Sequence, residues 1–323
     1  MTRILVTRPM PDAVVAALNS HFDEVVVRPS TTPLSAGELR TCLKEFDGVL
    51  PTLGDTFGPT VFEDAANPKC KVLANFGVGY NHIDIAGATG AGILVTNTPD
   101  AVTDATADIG VMLMLMSSRR ASEGERLVRD GKWMGWHPTQ MLGLHVTGKT
   151  VGIVGMGRIG QAIAARCHFG FGMTVKYFNR SAKELPFPAE QVASLHDLAA
   201  SVDVMIIAVP GGADTRHMID GPVLAAMPSH AHLVNIARGD VIDEAALIDA
   251  LQAETIGGAG LDVYEFEPNV PDALLNLDNV TLLPHLGTAA LDVRTTMGLM
   301  AVANLKAVLV DGVVPPNALN QLD

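Results

Sequence analysis

The chain has 323 residues, which is too long for one ordinary hydrophobic core and fits two domains of roughly 100 to 200 residues each. With 48% hydrophobic and 18% charged residues, its composition is typical of a folded globular protein rather than a disordered or repetitive one. The formal net charge of −13, spread along the chain, argues against nucleic acid or an anionic membrane as the main partner.

The first residues contain a short strand-like run, and they lack the long apolar core of a signal peptide. The longest apolar runs, such as residues 111–116, are too short to span a membrane. Cys42, Cys70 and Cys167 have no metal-binding spacing, and we expect them to be reduced and buried as small hydrophobes. We therefore expect a cytoplasmic protein that holds no metal.

The first hundred residues alternate short apolar runs with helical stretches. This alternation predicts βαβ units and a parallel sheet. The predicted strands are residues 3–7, 24–27, 48–51, 72–75 and 93–96, and two of the predicted helices are 11–19 and 36–44. Because no phosphate-binding glycine motif accompanies them in the sequence, we do not expect this half to hold a nucleotide.

A long helical pattern runs from Asp104 to about Arg129, and we interpret it as a helix that connects the two domains. The apolar side chains that recur on it at helical spacing are Ile109, Met112, Leu113 and Met116. A methionine-rich stripe of this kind is more typical of a core or a subunit interface than of a cofactor contact.

A glycine-rich turn joins the next predicted strand, residues 150–154, to a predicted helix at 161–167. The turn reads Gly155-Met156-Gly157-Arg158-Ile159-Gly160, which is the spacing of a turn that binds a dinucleotide pyrophosphate. In that motif the first glycine permits the turn, the second lets the backbone approach the phosphates, and the third lets the helix pack on the strand. The sequence therefore predicts a dinucleotide site formed by Gly155, Gly157, Arg158, Ile159 and Gly160.

The strand predicted at 173–178 ends in Asn179-Arg180-Ser181, where NAD-binding proteins place an acidic residue on the ribose 2′-hydroxyl. A carboxylate would repel a 2′-phosphate, whereas Asn179 is neutral, Ser181 can donate a hydrogen bond, and Arg180 can pair with phosphate or stack on adenine. We therefore expect NADP as the cofactor, with NADPH preferred over NADH. The alternative is that these residues only cap the strand at the surface.

Strands and helices alternate again beyond this point, as in a doubly wound sheet. The further predicted strands are 204–209, 232–235, 255–260 and 280–283, with helices at 244–252 and 289–310. The last helix is long enough to cross back to the first domain. We therefore expect residues 100–287 to form the NADP-binding domain, inserted into a substrate domain made of residues 1–99 and 288–323.

Three polar residues each follow a predicted strand of the nucleotide domain, and they are Arg238, Glu267 and His285. The carboxyl ends of strands face the ligand crevice in open α/β sheets, so all three side chains can converge on one cleft. Taken singly, each is more typical of a surface or structural residue. Their shared placement favours a catalytic role, and a guanidinium can hold a carboxylate through two parallel hydrogen bonds.

The blocks around these residues resemble those of the D-specific 2-hydroxyacid dehydrogenases, over essentially the whole chain. They are Ala-Arg-Gly-Asp around Arg238, Leu-Asp-Val-Tyr-x-x-Glu-Pro ending at Pro268, and Pro-His-Leu-Gly around His285. Residues 75–84, 133–138 and 294–298 look most like the glyoxylate/hydroxypyruvate reductase branch. The resemblance implies an α/β protein of two doubly wound parallel-sheet domains, with a Rossmann coenzyme domain inserted into a flavodoxin-like substrate domain.

The resemblance also implies a reaction, the NADPH-dependent reduction of a small 2-oxo acid to a 2-hydroxy acid. Under it, His285 gives a proton to the carbonyl oxygen, Glu267 orients and charges the imidazole, and Arg238 binds the substrate carboxylate and polarises the carbonyl. We choose Glu267 over Glu265 as the partner of His285 because Glu267 directly precedes Pro268.

Further site residues follow from the same resemblance and from the loops expected to face the substrate. The substrate contacts are Leu53, Asn75 and the backbone N–H groups of Val78 and Gly79. Asp262 would meet the nicotinamide carboxamide, and the other residues along the cofactor would be Thr106, Val209, Pro210, Thr215, Ala237 and Gly287.

Trp136 belongs to a Trp-x-Pro element that, in the branch that the chain resembles, reaches into the site of the partner subunit. The resemblance therefore implies a homodimer in which each Trp136 serves the partner. The alternative is that Trp136 is an aromatic anchor of the chain's own core.

The loops expected to face the substrate, residues 51–56 and 75–82, contain no lysine or arginine. A phosphorylated substrate would lack a counter-charge there, so we expect small 2-oxo acids, glyoxylate and hydroxypyruvate first. Two other functions stay open at this point. One is an NAD-dependent dehydrogenase of another 2-hydroxy acid or of 2-ketogluconate. The other is a cofactor-sensing, corepressor-like binding protein, against which the acidic charge counts.

Overall fold

The computed structural model of the chain describes residues 1–63 and 67–322. They form two compact units, one made of Met1–Val102 with Ala289–Asp323 and the other of Thr103–Thr288. Each unit is built around its own parallel β-sheet. The boundaries expected from the sequence were 99/100 and 287/288.

The strands of the described residues are β1 (Arg3–Val6), β2 (Glu24–Val27), β3 (Gly48–Leu50), β4 (Val72–Ala74), β5 (Leu94–Thr96), β6 (Thr150–Val154), β7 (Thr174–Phe178), β8 (Ala189–Gln191), β9 (Val204–Ile207), β10 (His232–Asn235), β11 (Gly258–Leu261) and β12 (Val280–Leu282). The helices are α1 (Asp12–His21), α2 (Ala36–Glu45), α3 (Pro59–Phe62), α4 (Ile85–Gly90), α5 (Thr103–Ser118), α6 (Ala121–Arg129), α7 (Arg158–Phe171), α8 (Leu195–Ala200), α9 (Gly221–Ala226), α10 (Glu244–Gln252), α11 (Asp272–Leu275) and α12 (Leu291–Leu309).

The first unit has a five-stranded sheet in the order β2-β1-β3-β4-β5, which is the flavodoxin-like order. Both faces of this sheet are covered. Ile4 and Val6 of β1 pack in one apolar cluster with residues of α1 and α12, while Leu5 between them packs in another with residues of α2. The near-continuous apolar runs of the sequence arise because a parallel strand of this kind is buried on both sides.

The second unit has a seven-stranded sheet in the order β12-β11-β10-β9-β6-β7-β8, all parallel. The chain winds one way from β6 to β8 and then returns to place β9 on the other side of β6. This is the Rossmann arrangement, in which a ligand binds at the carboxyl ends of the strands where the winding reverses. The predicted fold class is confirmed for both units.

The single long helix predicted over residues 104–129 is wrong, because the structure has two helices, α5 and α6. Arg120 between them has a φ of +56°, in the left-handed region that ends an α-helix. The carbonyl of Ser118 accepts the N–H of Leu144 at 2.7 Å, in place of the N–H that a continuing helix would offer it. Gly143 approaches that carbonyl so closely that a Cβ would lie 2.4 Å from it. A distant segment therefore breaks the helix.

Two other predicted elements begin three residues away from where they were predicted. The helix predicted at 161–167 begins earlier, at Arg158. The prediction missed the first turn because glycine has a low helix propensity and is common there. The strand predicted at 255–260 begins later, at Gly258. The three cysteines are buried and free, as expected. Within the part of the chain that the structure describes, every helix is too short or too polar to cross a membrane.

Candidate active site

His285 and Glu267 form a hydrogen-bonded pair in the second unit. The Nδ1 atom of His285 lies 2.8 Å from Oε2 of Glu267, and Oε1 of Glu267 accepts the N–H of Tyr264 at 3.1 Å. Burial acts to raise the pKa of Glu267, but the hydrogen bond and attraction from His285, with help from Tyr264 and Arg238, bring it below its ordinary value. Glu267 is therefore an anion at neutral pH and holds one nitrogen of the imidazole.

Asp262 fixes the loop that carries His285. Its two carboxylate oxygens accept the N–H groups of Leu286 at 2.6 Å and Gly287 at 2.8 Å, and its carbonyl accepts the N–H of His285 at 2.9 Å. These bonds hold His285 at a φ of +55°, a left-handed conformation that few non-glycine residues adopt. Thr106 adds a bond from its hydroxyl to the carbonyl of Gly287 at 3.2 Å. The sequence showed no sign of this supporting role of Asp262.

Arg238 lies just beyond β10, beside the Glu267 loop. Its side chain packs on Gly211, where a Cβ would come within 2.7 Å of the Cγ of Arg238. Burial lowers the pKa of the guanidinium, while attraction to Glu267 and Asp240 acts in the opposite direction. An arginine stays protonated in proteins, so the site keeps a positive charge next to the carboxylate.

The three loops meet because β12, β11 and β10 are neighbours in the sheet. His285, Glu267 and Arg238 follow these strands in that order, all at the carboxyl edge. The buried amide of Asn235 anchors the loop that follows β10, since it donates to the carbonyl of Arg238 at 2.8 Å and accepts the N–H of Ala237 at 3.0 Å. The structure thus brings an imidazole, a carboxylate and a guanidinium together.

The glycine-rich turn forms a cradle between β6 and α7. Gly155 has a φ of +95°, and a Cβ on Gly160 would lie 2.1 Å from the carbonyl oxygen of Gly155. Gly157, the N-cap of α7, makes no side-chain capping bond, and the space around its Cα is open. The first turn of α7, which contains Arg158, Ile159 and Gly160, lies at this turn, and its backbone N–H groups form the positive end of the helix dipole. This cradle fits the pyrophosphate of a dinucleotide.

Asn179 ties the end of β7 to this cradle. Its Oδ1 accepts the N–H of Met156 at 3.1 Å, and its Nδ2 donates to the carbonyl of Ser181 at 2.8 Å. Arg180 and Ser181 next to it are exposed. The side chain of Asn179 therefore shapes the edge of the cradle, and its two neighbours face solvent there.

The other residues expected along the cofactor also lie at the carboxyl edge of this sheet. Val209 and Pro210 follow β9, and the hydroxyl of Thr215 donates to the carbonyl of Pro210 at 2.8 Å, which closes that loop. Ala237 follows β10 and is buried.

The loops expected to bind the substrate belong to the first unit. Asn75 is fully buried, and its Nδ2 donates to the carbonyls of Gly77 at 3.1 Å and Gly79 at 3.0 Å. The amide of Asn75 therefore fixes the loop that carries Val78 and Gly79. The N–H groups of Val78 and Gly79 donate to no acceptor among the described residues, so they are available to a ligand.

Arg8 is a cation that the sequence did not place beside the loop of residues 51–56. Its NH1 lies 3.0 Å from Oδ1 of Asp55, and the two side chains are only 12% and 0% exposed. Asp55 also accepts the N–H of Leu34 at 3.1 Å. Leu53 on the same loop is half-buried. Because Asp55 neutralises Arg8, this pair adds no net positive charge that could hold a phosphate.

Trp136 lies in the segment between α6 and β6, and 79% of it is exposed. The structure therefore excludes the alternative of an aromatic anchor in the chain's own core. Its neighbours Trp133 and Met134 are 52% and 94% exposed, and Leu142 further along is 68% exposed. The segment presents an unusually apolar surface to solvent.

The sequence profile described as "D-isomer specific 2-hydroxyacid dehydrogenase, NAD binding domain" matches residues 111–287. The chain belongs to the D-isomer specific 2-hydroxyacid dehydrogenase family. The glyoxylate reductases of Thermococcus kodakarensis and Pyrococcus horikoshii are each 42% identical to it, over 99% of this chain and 96% of theirs. The resemblance inferred from the sequence motifs is confirmed, including the glyoxylate reductase branch.

Solved structures of other members of this dehydrogenase family agree over the full length. One is an NADPH-dependent glyoxylate/hydroxypyruvate reductase from Sinorhizobium meliloti in complex with NADP and malonate, with a TM-score of 0.86 and 36% identity over 98% of this chain and 96% of that one. A glyoxylate reductase from Paecilomyces thermophila has a TM-score of 0.85 and 32% identity over 98% of each chain. As a member of the family, the chain is an oxidoreductase of 2-oxo and 2-hydroxy acids that uses a nicotinamide cofactor.

Proposed function

We propose that this dehydrogenase reduces small 2-oxo acids, glyoxylate and hydroxypyruvate first, with NADPH as the cofactor. The observation that carries the proposal is the His285–Glu267 pair beside Arg238 at the ends of three neighbouring strands. The relatives named glyoxylate reductase and the S. meliloti enzyme support the choice of substrate.

The reduced nicotinamide, when bound, supplies the hydride for the keto carbon. Arg238 binds the substrate carboxylate and stabilises the negative charge that develops on the carbonyl oxygen. In the first unit, the N–H groups of Val78 and Gly79 are further donors for a carboxylate.

His285 is the proton donor of the proposed reaction. Glu267 occupies Nδ1, so Nε2 is the atom that carries the proton to the substrate oxygen. The anionic Glu267 stabilises the protonated ring before the transfer and fixes its orientation. Asp262 holds the loop, so that the imidazole needs little rearrangement during the reaction.

The preference for NADPH rests on the end of β7. Asn179 brings no charge to the edge of the cradle and is engaged by Met156 and Ser181. Arg180 is exposed and has no hydrogen-bond or ion-pair partner among the described residues, so its guanidinium is available to a 2′-phosphate. The NADP complex of the S. meliloti relative supports this choice.

Steady-state kinetics test the substrate and the cofactor together. We expect NADPH to support faster reduction of glyoxylate and hydroxypyruvate than NADH, and Asn179→Asp to shift the preference toward NADH by repelling the 2′-phosphate. Equal or better use of NADH by the native enzyme would contradict the cofactor choice and favour the NAD-dependent alternative. A chain that binds NADPH but turns over none of these acids or 2-ketogluconate would be a cofactor-sensing binding protein instead.

The proton donor is tested separately. We expect His285→Ala to lose reduction while it still binds NADPH, as measured by the fluorescence of the nucleotide. His196→Ala, a change of an exposed histidine in the same unit, is the matched control and should keep full activity. Retained turnover in His285→Ala would show that another group delivers the proton.

A homodimer is part of the proposal. The exposed side chains around Trp136 and a groove on α5 and α7, lined by Val111, Met112, Leu115, Met116 and Phe171, form two apolar surfaces that a second copy would cover. Light scattering should give twice the mass of one chain. Met112→Glu in the groove should reduce it to one chain, whereas Leu275→Glu, on an exposed site elsewhere in the unit, should not.

A further inference from the structure

A second histidine–glutamate pair lies beside the His285–Glu267 pair. The Nε2 atom of His217 is 2.9 Å from Oε1 of Glu265, and the side chain of Glu265 is only 11% exposed. Glu265 precedes Glu267 by two residues on the same loop. The two glutamates of this loop therefore pair with two different histidines.

His217 is also bonded to the loop that carries Arg238. Its backbone N–H donates to the carbonyl of Asp240 at 2.7 Å, two residues beyond Arg238. The pairing continues, since the N–H of Ile219 donates to the carbonyl of Val241 at 3.1 Å. His217 thus holds the Arg238 loop through its backbone and the Glu267 loop through its ring.

These two loops touch without any side chain between them. A Cβ on Gly239 would lie 1.8 Å from the carbonyl carbon of Tyr264, so the backbones are in direct contact there. A small slide of one loop along the other would move Arg238 relative to Glu267. Two hydrogen bonds near this contact between the loops resist such a slide. One is the His217–Glu265 bond, and the other runs from the N–H of Glu265 to the carboxylate of Glu244 at 3.3 Å.

His217 adopts a strained backbone to make these bonds. Its φ is +48°, in the left-handed region that few non-glycine residues adopt. Strain of this kind persists where the surrounding contacts determine the conformation, and it is common near active sites.

We infer that His217 and Glu265 are positioning residues that hold Arg238 in place against the His285–Glu267 pair. The inference rests on the proposed function, because it assigns these residues to the reduction that Arg238 and His285 carry out. What it adds is the hydrogen bond from the imidazole of His217 to Glu265, which fixes the distance between the carboxylate-binding guanidinium and the proton donor.

The test compares two substitutions of the same residue. His217→Asn accepts the left-handed backbone without strain but is too short to reach Glu265. His217→Gln can place its amide N–H close to where Nε2 lies. Because misplacing a reacting group by about 1 Å can cost roughly a hundredfold in rate, we expect His217→Asn to lower kcat/KM for glyoxylate by about ten- to a hundredfold. The glutamine variant should recover most of that loss.

Arg216→Leu is the matched control. It removes a guanidinium that lies 3.4 Å from the carboxylate of Glu265 and whose own side chain is 61% exposed, and it should leave kcat/KM unchanged. The affinity for NADPH in the absence of substrate, measured by nucleotide fluorescence, should be the same in all variants. That readout separates a displaced Arg238 from a general loss of the fold.

The inference is overturned if His217→Asn keeps the native kcat/KM, if glutamine fails to restore it, or if the loss follows a weakened affinity for NADPH. Should the asparagine variant not fold, Glu265→Leu removes the same bond from the other side and has to give the same loss. A native enzyme that reduces none of the 2-oxo acids would instead contradict the proposed function itself.

Discussion

His232 makes the stability of the second unit depend on pH. It begins β10, is 7% exposed, and its Nδ1 lies 2.7 Å from the hydroxyl of Ser117. Burial, and to a smaller extent the nearby His230, lowers the pKa of His232 from 6.5 to about 4. The folded chain therefore leaves this ring neutral over a pH range in which the unfolded chain protonates it.

The sign and size of the effect follow from proton linkage. As the pH falls below the pKa that His232 has in the unfolded chain, the unfolded state binds a proton and the folded state does not. The free energy of unfolding therefore decreases until the pH reaches the pKa of His232 in the folded chain. The shift corresponds to about 3 kcal/mol in full, of which about 2 kcal/mol is lost between about pH 7 and about pH 5. For a unit of this size, that loss lowers Tm by roughly 4 to 8 °C.

Differential scanning calorimetry across this pH range measures the effect. His232→Asn keeps a polar side chain beside Ser117 but does not titrate, so its Tm should fall less on acidification than that of the native chain. His196→Asn changes an exposed histidine of the same unit and should retain the native pH dependence. The reasoning is refuted if His232→Asn and the native chain lose the same Tm on acidification.

Three further predictions concern packing and the loop of the proton donor. Gly160→Ala forces a Cβ to within 2.1 Å of the carbonyl of Gly155 and should lower Tm and weaken NADPH binding, whereas Gly37→Ala, in open space on α2, should lower neither. Burial raises the pKa of all three cysteine thiols, to about 11 or 12, so a thiol reagent near neutral pH should label them only after unfolding. Asp262→Asn cannot accept two backbone N–H groups as the carboxylate does, so amide exchange of Leu286 should accelerate and kcat should fall, and unchanged exchange would contradict the supporting role.

The sequence by itself determined the features that depend on residues close together in the chain. Alternating apolar runs and helical stretches indicated two parallel sheets, because a doubly covered strand and an amphipathic helix each have a periodicity that is visible over about ten residues. The spacing from Gly155 to Gly160 indicated the dinucleotide cradle for the same reason, since turn, helix start and close packing are all local needs. Family blocks then pointed to Arg238, Glu267 and His285 together.

The tertiary structure decided which distant groups meet. Glu265 and Glu267 are nearly equivalent in the sequence, yet one pairs with His217 and the other with His285. Arg8 forms an ion pair with Asp55. The N–H of Leu144 donates to the carbonyl of Ser118, at the end of the first of the two helices that were predicted as one. Such contacts join segments that lie far apart along the chain, so no local propensity encodes them. The pairs made by Glu265, Glu267 and Asp55 form because the parallel sheets place successive loops side by side at one edge, where buried polar groups form hydrogen bonds with one another.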